Sequence, residues 1–268
     1  MSRIGKKPVE LPAGGPLCVE RLTVQPADAP RPLLDDVSLT LAPGGRVAVV
    51  GTSGAGKTTL ARALVRFADP ARGAVTLGDR DLRELRQADV RHAVRLVGQD
   101  AHLFTTTLRQ NVAIADPDAS DAKIEAALDQ AGLHAWRTAL PQGLDTVLGE
   151  EGGEVSGGER RRIALARGLV ADARYLVLDE PTAHLDAAGG AALLHALADA
   201  PRDPRGILVI AHTCAGLEDF DEILVLDHGR IVERGTHAEL LARDGRYAEM
   251  WRLQQSGADE SEVVAEPN

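Results

Sequence analysis

GTSGAGKT, residues 51–58, is the stretch on which the fold turns. It fits G-x-x-x-x-G-K-[ST] and stands between the apolar run RVAVV (46–50) and the helical pattern TTLARALVRF (58–67). A strand, a glycine-rich turn and a helix start in that order form the context in which this motif cradles phosphates. Gly51, Gly54 and Gly56 let backbone N–H groups turn inward, and the helix that follows adds its partial positive charge. The whole segment Gly51, Thr52, Ser53, Gly54, Ala55, Gly56, Lys57, Thr58 and Thr59 is therefore expected to wrap a triphosphate. Lys57 would place a point charge on the β- and γ-phosphates, and the Thr58 hydroxyl would bind Mg²⁺.

A second stretch, YLVLDEPTAHLD (175–186), runs a buried strand straight into two adjacent carboxylates. Charge at the end of an apolar strand needs a cation nearby. Beside a phosphate loop, Asp179 is expected to reach Mg²⁺ through water, and Glu180 to polarise an attacking water. The ligand implied is a nucleoside triphosphate.

VSGGERRRIALARGL (155–169) places a serine and two glycines at another helix start, which makes a second anion-binding terminus. One domain has no use for two γ-phosphate sites, so this terminus is expected to serve a partner's nucleotide. Here the sequence resembles the ATP-binding cassette (ABC) family, whose signature is close to L-S-G-G-Q. Val155 and Glu159 depart mildly from it. The resemblance runs from about residue 17 to 255. It implies that Ser156, Gly157, Gly158 and Glu159 grip the nucleotide of an opposing domain and that Gln99, in LVGQDAHLF, touches Mg²⁺ and relays nucleotide state to a membrane partner. It also implies that His212, in LVIAHT, contacts the γ-phosphate and that Asp186 lies at the domain–domain interface. With Lys57, Gln99, Glu180 and His212 in catalytic places, the resemblance implies a hydrolytically competent ATPase. It would work as a head-to-tail homo- or heterodimer, with ATP and Mg²⁺ as cofactors and a transmembrane domain in a separate or missing segment.

TVLGEEGGEVSGGE (146–159) and LFTTTLRQNVAIA (103–115) resemble exporter cassettes. His184 and GLEDFDEI (216–223) resemble most the CydC-type subunit of the heterodimeric thiol exporter needed for cytochrome bd assembly. Two departures stand out. Exporters carry an aromatic residue near the start of this domain on which adenine stacks, whereas LTVQPADAPRPLL (22–34) offers Gln25 and Pro26. Exporters of this type also fuse a membrane domain ahead of the cassette. The placement implied is cytoplasmic, at the inner face of the membrane.

Composition limits the alternatives. The 268 residues carry a net charge of −10, which argues against broad contact with nucleic acid. No apolar run approaches the roughly 18 to 20 residues that span a bilayer. Cys18 and Cys214 lack metal-ligand spacing and read as reduced thiols. Chromosome-type ABC ATPases insert a long coiled coil before the signature, and repair-type members carry zinc cysteines; neither pattern is present. A non-hydrolysing ATP-binding module is supported only by the missing aromatic.

The fold expected is α/β, a P-loop NTPase of ABC type. LCVERLTV (17–24) and DDVSLTLA (35–42) should form an N-terminal antiparallel layer. RVAVV, VRLVG (94–98), YLVLD, GILVIA (206–211) and EILVLD (222–227) should form a mostly parallel core sheet, with a helical subdomain over about 100–170. LDHGRIVERG (226–235) reads as a hairpin, and Thr236 with Glu239 as a capping box. Residues 1–14, within a leader of residues 1–15, resemble the opening of the sixth protein of the bacterial large ribosomal subunit. A fusion scar, a misassigned start or chance would each produce that likeness. This leader and the acidic residues 256–268 are expected to be disordered, leaving 16–255 as the ATPase domain.

Overall fold

The computed structural model describes residues 10–26, 29–98, 102–149, 155–183, 185–200 and 205–263, with backbone alone over 257–263. Its strands are β1 (Leu17–Val24), β2 (Leu34–Leu41), β3 (Arg46–Val50), β4 (Arg72–Leu77), β5 (Arg80–Asp81), β6 (Val94–Val97), β7 (Tyr175–Asp179), β8 (Gly206–Ala211), β9 (Glu222–Asp227) and β10 (Arg230–Gly235). Its helices are α1 (Lys57–Leu64), α2 (Gln87–Ala93), α3 (Leu108–Ala113), α4 (Asp121–Gln130), α5 (His134–Ala139), α6 (Gly157–Val170), α7 (Ala187–Asp199), α8 (His237–Ala242) and α9 (Arg246–Val263).

The strands form two sheets. One is antiparallel, in the order β2-β1-β4-β5; the other runs β10-β9-β3-β8-β7-β6. In the second sheet β3, β6, β7, β8 and β9 are parallel, and β10 is antiparallel to β9. Strands β3, β7 and β8 are buried along their whole length, as apolar runs without alternation require.

Period-two geometry splits their side chains between two cores. Val47, Val49, Val177, Leu208 and Leu224 face the antiparallel sheet and α1. Ala48, Val50, Leu176, Val209 and Val225 face α4, α6 and α7. Helix α1 is thereby held between the sheets, with Leu60, Ala61 and Leu64 buried at its N-terminal site's back.

Among the described residues between 108 and 170 lie helices α3 to α6, with an isolated bridge between Thr107 and Val147. Helix ends leave carbonyls without intrahelical partners, and here arginines from other segments fill the gap. Arg205 donates to Leu169, Ala171 and Ala173 at the end of α6. Fully buried Arg46 donates to Leu197 and Ala200 at the end of α7. A guanidinium suits this task because its fork serves several carbonyls and it stays charged.

Three details differ from the sequence reading. The antiparallel layer contains a further hairpin, β4–β5, whose short strands alternate too few apolar residues to stand out. Residues 11–15 are not a loose leader. Leu11 packs on the core, the Tyr175 hydroxyl donates to the Gly15 carbonyl at 2.6 Å, and Arg174 donates to the Pro12 carbonyl. Residues 256–263, expected to be disordered, continue α9, because extending a helix from a packed start is far cheaper than nucleating one. Residues 1–9 and 264–268 lie outside the described residues.

Cys214 is fully buried and unpaired, and burial, followed by the charge of Glu218, pushes its thiol up to about 12. Cys18 is also a free thiol.

Candidate active site

The phosphate loop leaves the end of β3, at the centre of the sheet, and enters α1 through Gly56, whose φ of 108° favours glycine. A Cβ at Gly51 would lie 2.1 Å from the Leu226 carbonyl oxygen, and one at Gly56 would lie 2.7 Å from that of Leu33. Main chain of the β9–β10 hairpin and of the approach to β2 therefore forms the floor of the loop. The Gly229 N–H completes it by donating to the Ala55 carbonyl at 2.9 Å.

Lys57 opens α1 and is 5% exposed. Its ammonium donates to the loop's own carbonyls, Gly51 at 2.6 Å and Thr52 at 3.0 Å. Burial lowers its pKa, while the nearby charges of Glu180 and Asp179 act in the opposite direction.

Asp179 ends β7 and is also 5% exposed. Burial raises its pKa; the Thr58 hydroxyl bond opposes that shift and the neighbouring Glu180 charge adds to it. Among the described residues its Oδ1 has no hydrogen-bond partner. A buried carboxylate oxygen without a donor, beside a threonine hydroxyl, fits a hard divalent cation such as Mg²⁺.

Glu180 follows at φ 57°, a conformation rare for residues other than glycine and often found at functional sites. Its N–H still pairs with the Ile210 carbonyl of β8 at 2.9 Å, so the turn is made against a fixed neighbour. Its Oε1 lies 2.5 Å from Nε2 of His212, the residue after β8. The sequence reading gave these side chains separate tasks and did not pair them; adjacency of β7 and β8 is what brings them together.

Leu33, Ser53, Gly54, Gly56, Lys57, Thr58, Thr59, Glu180 and His212 line one open cleft. Leu33 is the member that sequence reasoning missed; it is 45% exposed, and it reaches the cleft because the approach to β2 lies against Gly56 of the phosphate loop. Gln25, where an aromatic was sought, donates to the Ala29 carbonyl at 3.1 Å. Gln25→Tyr is expected to tighten ATP binding by about 1 to 3 kcal/mol, roughly 5- to 150-fold, the range for base–aromatic stacking. Calorimetric titration of both proteins checks this, and equal affinities would show that no base reaches residue 25.

Ser156, Gly157, Gly158, Glu159 and Asp186 do not line that cleft. Ser156 caps α6: its Oγ accepts from the Glu159 N–H at 3.2 Å, and Glu159 Oε2 accepts from the Ser156 N–H at 2.8 Å. The capping box explains why glutamate is acceptable at residue 159. The Ser156 hydroxyl keeps its own proton to donate, and both Ser156 and Gly157 are exposed. Asp186 caps α7 by accepting from the Gly189 N–H at 2.7 Å. Gln99 and His184 lie outside the described residues.

Known proteins resemble this chain in sequence and fold. The family model described as ABC transporter matches residues 34–183. The mycobactin import ATP-binding/permease protein IrtA of Mycobacterium tuberculosis is 47% identical over 220 residues, which is 82% of this chain and 25% of that protein. The ATP-dependent lipid A-core flippase of Vibrio cholerae is 43% identical over 84% of this chain and 38% of its own length. The ATM1-type heavy metal exporter of Novosphingobium aromaticivorans is 42% identical over 89% of this chain and 39% of its own. A solved bacterial Atm1-family ABC exporter with ATP bound superimposes with a TM-score of 0.83 at 39% identity, covering 94% of this chain and 44% of that one. The chain thus spans less than half the length of these relatives. It belongs to the ABC transporter family and has the fold of that family's ATPase domain.

Proposed function

We propose that this chain is the ATP-hydrolysing domain of an exporter-type ABC transporter, acting at the cytoplasmic face of a membrane through a transmembrane partner. The observation that carries the reading is the convergence of Lys57, Thr58, Glu180 and His212 on one cleft, with Asp179 behind it, while the exposed Ser156 terminus stands elsewhere. Two such sites are completed when two domains, identical or paired, close head to tail so that each Ser156-Gly157-Gly158 caps the other's nucleotide.

In the closed pair, Lys57 exchanges the Gly51 and Thr52 carbonyls for the β- and γ-phosphate oxygens. Thr58 and Asp179, with Gln99, would hold a divalent cation, which would supply positive charge against the phosphate oxygens. Glu180 orients the attacking water and accepts its proton. His212 fixes the Glu180 carboxylate and presents its ring to the γ-phosphoryl. Asp186 sits at the seam between domains.

The decisive measurement is steady-state ATP hydrolysis against protein concentration. Below the dimerisation constant, specific activity should rise in proportion to concentration, because the active unit contains two domains. Specific activity independent of concentration, in a protein that stays monomeric with ATP, would overturn the two-domain site. Absence of hydrolysis at every concentration, together with tight ATP binding, would favour a non-hydrolysing module.

A narrower reading, thiol export of the CydC type, is supported by GLEDFDEI after His212 and by His184. Stimulation of ATP turnover by cysteine or glutathione, with the membrane partner present, tests it. The relatives named above include an importer as well as exporters, so cassettes this similar occur in transporters of different cargo.

A further inference from the structure

We propose that Gln254, on the C-terminal helix α9, is a positioning residue for His212, which makes α9 a structural arm of the hydrolytic site. The inference rests on the reading of His212 given above. The Gln254 side chain uses both ends of its amide on the segment that carries this histidine. Its Nε2 donates to the His212 carbonyl at 2.8 Å, and its Oε1 accepts from the Cys214 N–H at 2.8 Å. Both partners are main-chain groups of fixed polarity, so only one orientation of the amide satisfies them. Residues 212–214 have just left β8 and no longer share the sheet's ladder, so this amide takes the place of a neighbouring strand.

Helix α9 is well placed to act as a post. Glu233 on β10 accepts from the N–H groups of Arg246 and Tyr247 at 2.6 and 3.1 Å, which fixes the helix start. Tyr247 is fully buried, and its hydroxyl meets His237 Nδ1 at 2.8 Å. The His237 ring also stands edge-on to Trp251, with centroids 4.8 Å apart. Positions 247, 251 and 254 fall on one helical face, so the side that anchors α9 also presents Gln254 to the loop. At the other end of the chain of contacts, His212 Nε2 meets Glu180 Oε1 at 2.5 Å. A shift of α9 would thus alter the partner of the residue placed to activate water.

The test uses the full chain and Gln254→Met, which keeps bulk and helix propensity but loses both hydrogen bonds. ATP turnover at saturation should fall about tenfold, the size of two neutral hydrogen bonds, with KM within about twofold. In a His212→Ala background the same change should cost nothing further, because its effect runs through His212. Amide exchange over residues 211–216 should quicken at least about tenfold, with β3 and β7 unchanged. Unchanged exchange in that segment overturns the proposal, as does a loss that appears in KM or is equally large without His212. If His212→Ala has no measurable turnover, exchange and the kcat–KM split decide. If the wild-type chain itself hydrolyses no ATP, the functional reading fails while the exchange comparison still judges the clamp.

Discussion

Glu180→Gln is expected to slow ATP turnover at saturation by about 10²- to 10⁴-fold, the usual worth of a positioned general base. Nucleotide affinity should stay within a few fold. The substitution is isosteric, so the turn at φ 57° and the main-chain bond to Ile210 survive. An amide oxygen or amino group can still meet His212, and the packing of the cleft is untouched. What disappears is the carboxylate's capacity to take a proton from water. A useful corollary is that ATP-bound pairs should accumulate, because closure needs binding and reopening needs hydrolysis. Steady-state turnover and gel filtration with ATP measure the two effects. A variant that hydrolyses at the wild-type rate would move the base to another residue.

Lys57→Ala is expected to weaken ATP binding by about 10- to 150-fold, the size of a lost charge-assisted hydrogen bond. The ammonium is already desolvated, held 2.6 Å from the Gly51 carbonyl, and flanked by the charges of Glu180 and Asp179. Most of the cost of burying it has therefore been met by the fold before ATP arrives, so its attraction for phosphate is little diluted by water. Its loss would leave the carboxylates of Asp179 and Glu180 facing phosphate oxygens with no cation from the loop. Fluorescent-nucleotide titration of both proteins reads the change. Equal affinity in the two would place ATP away from this loop.

Much of this could be seen in the residues themselves, for reasons that differ from part to part. The turn from β3 into α1 is legible because a contiguous motif fixes both the backbone shape and the chemistry. The parallel strands are legible because burial on both faces leaves no polar position along them. Strand β4 is less so: RGAVTL buries only Val75 and Leu77 and depends on β1 for the rest of its definition. The pairing of Glu180 with His212 could not be read, since it depends on which parallel strands are neighbours, and sequence order does not determine that. Leu33 and Gln254 were hidden for a related cause. Each is an ordinary residue whose importance comes from what the fold sets opposite it. Ser156 and Asp186 carry a structural task that motif reading left out: each oxygen caps its own helix as well as standing available to a second domain.

The floor under the phosphate loop has a thermodynamic consequence. It is made of main chain from two different layers: Leu33 on the way into the antiparallel sheet, and Leu226 with Gly229 from the hairpin at the edge of the parallel sheet. The loop can keep its phosphate-binding shape only while those layers remain in register. Any ligand that selects that shape therefore also opposes separation of the layers, so nucleotide should merge their unfolding into one cooperative event. Although carbonyl and amide groups form this seam, Gly51, Gly56 and Gly229 leave no room for a Cβ against it and Leu226 is fully buried, so a side chain added at any of these glycines would push the layers apart and loosen the grip on ATP.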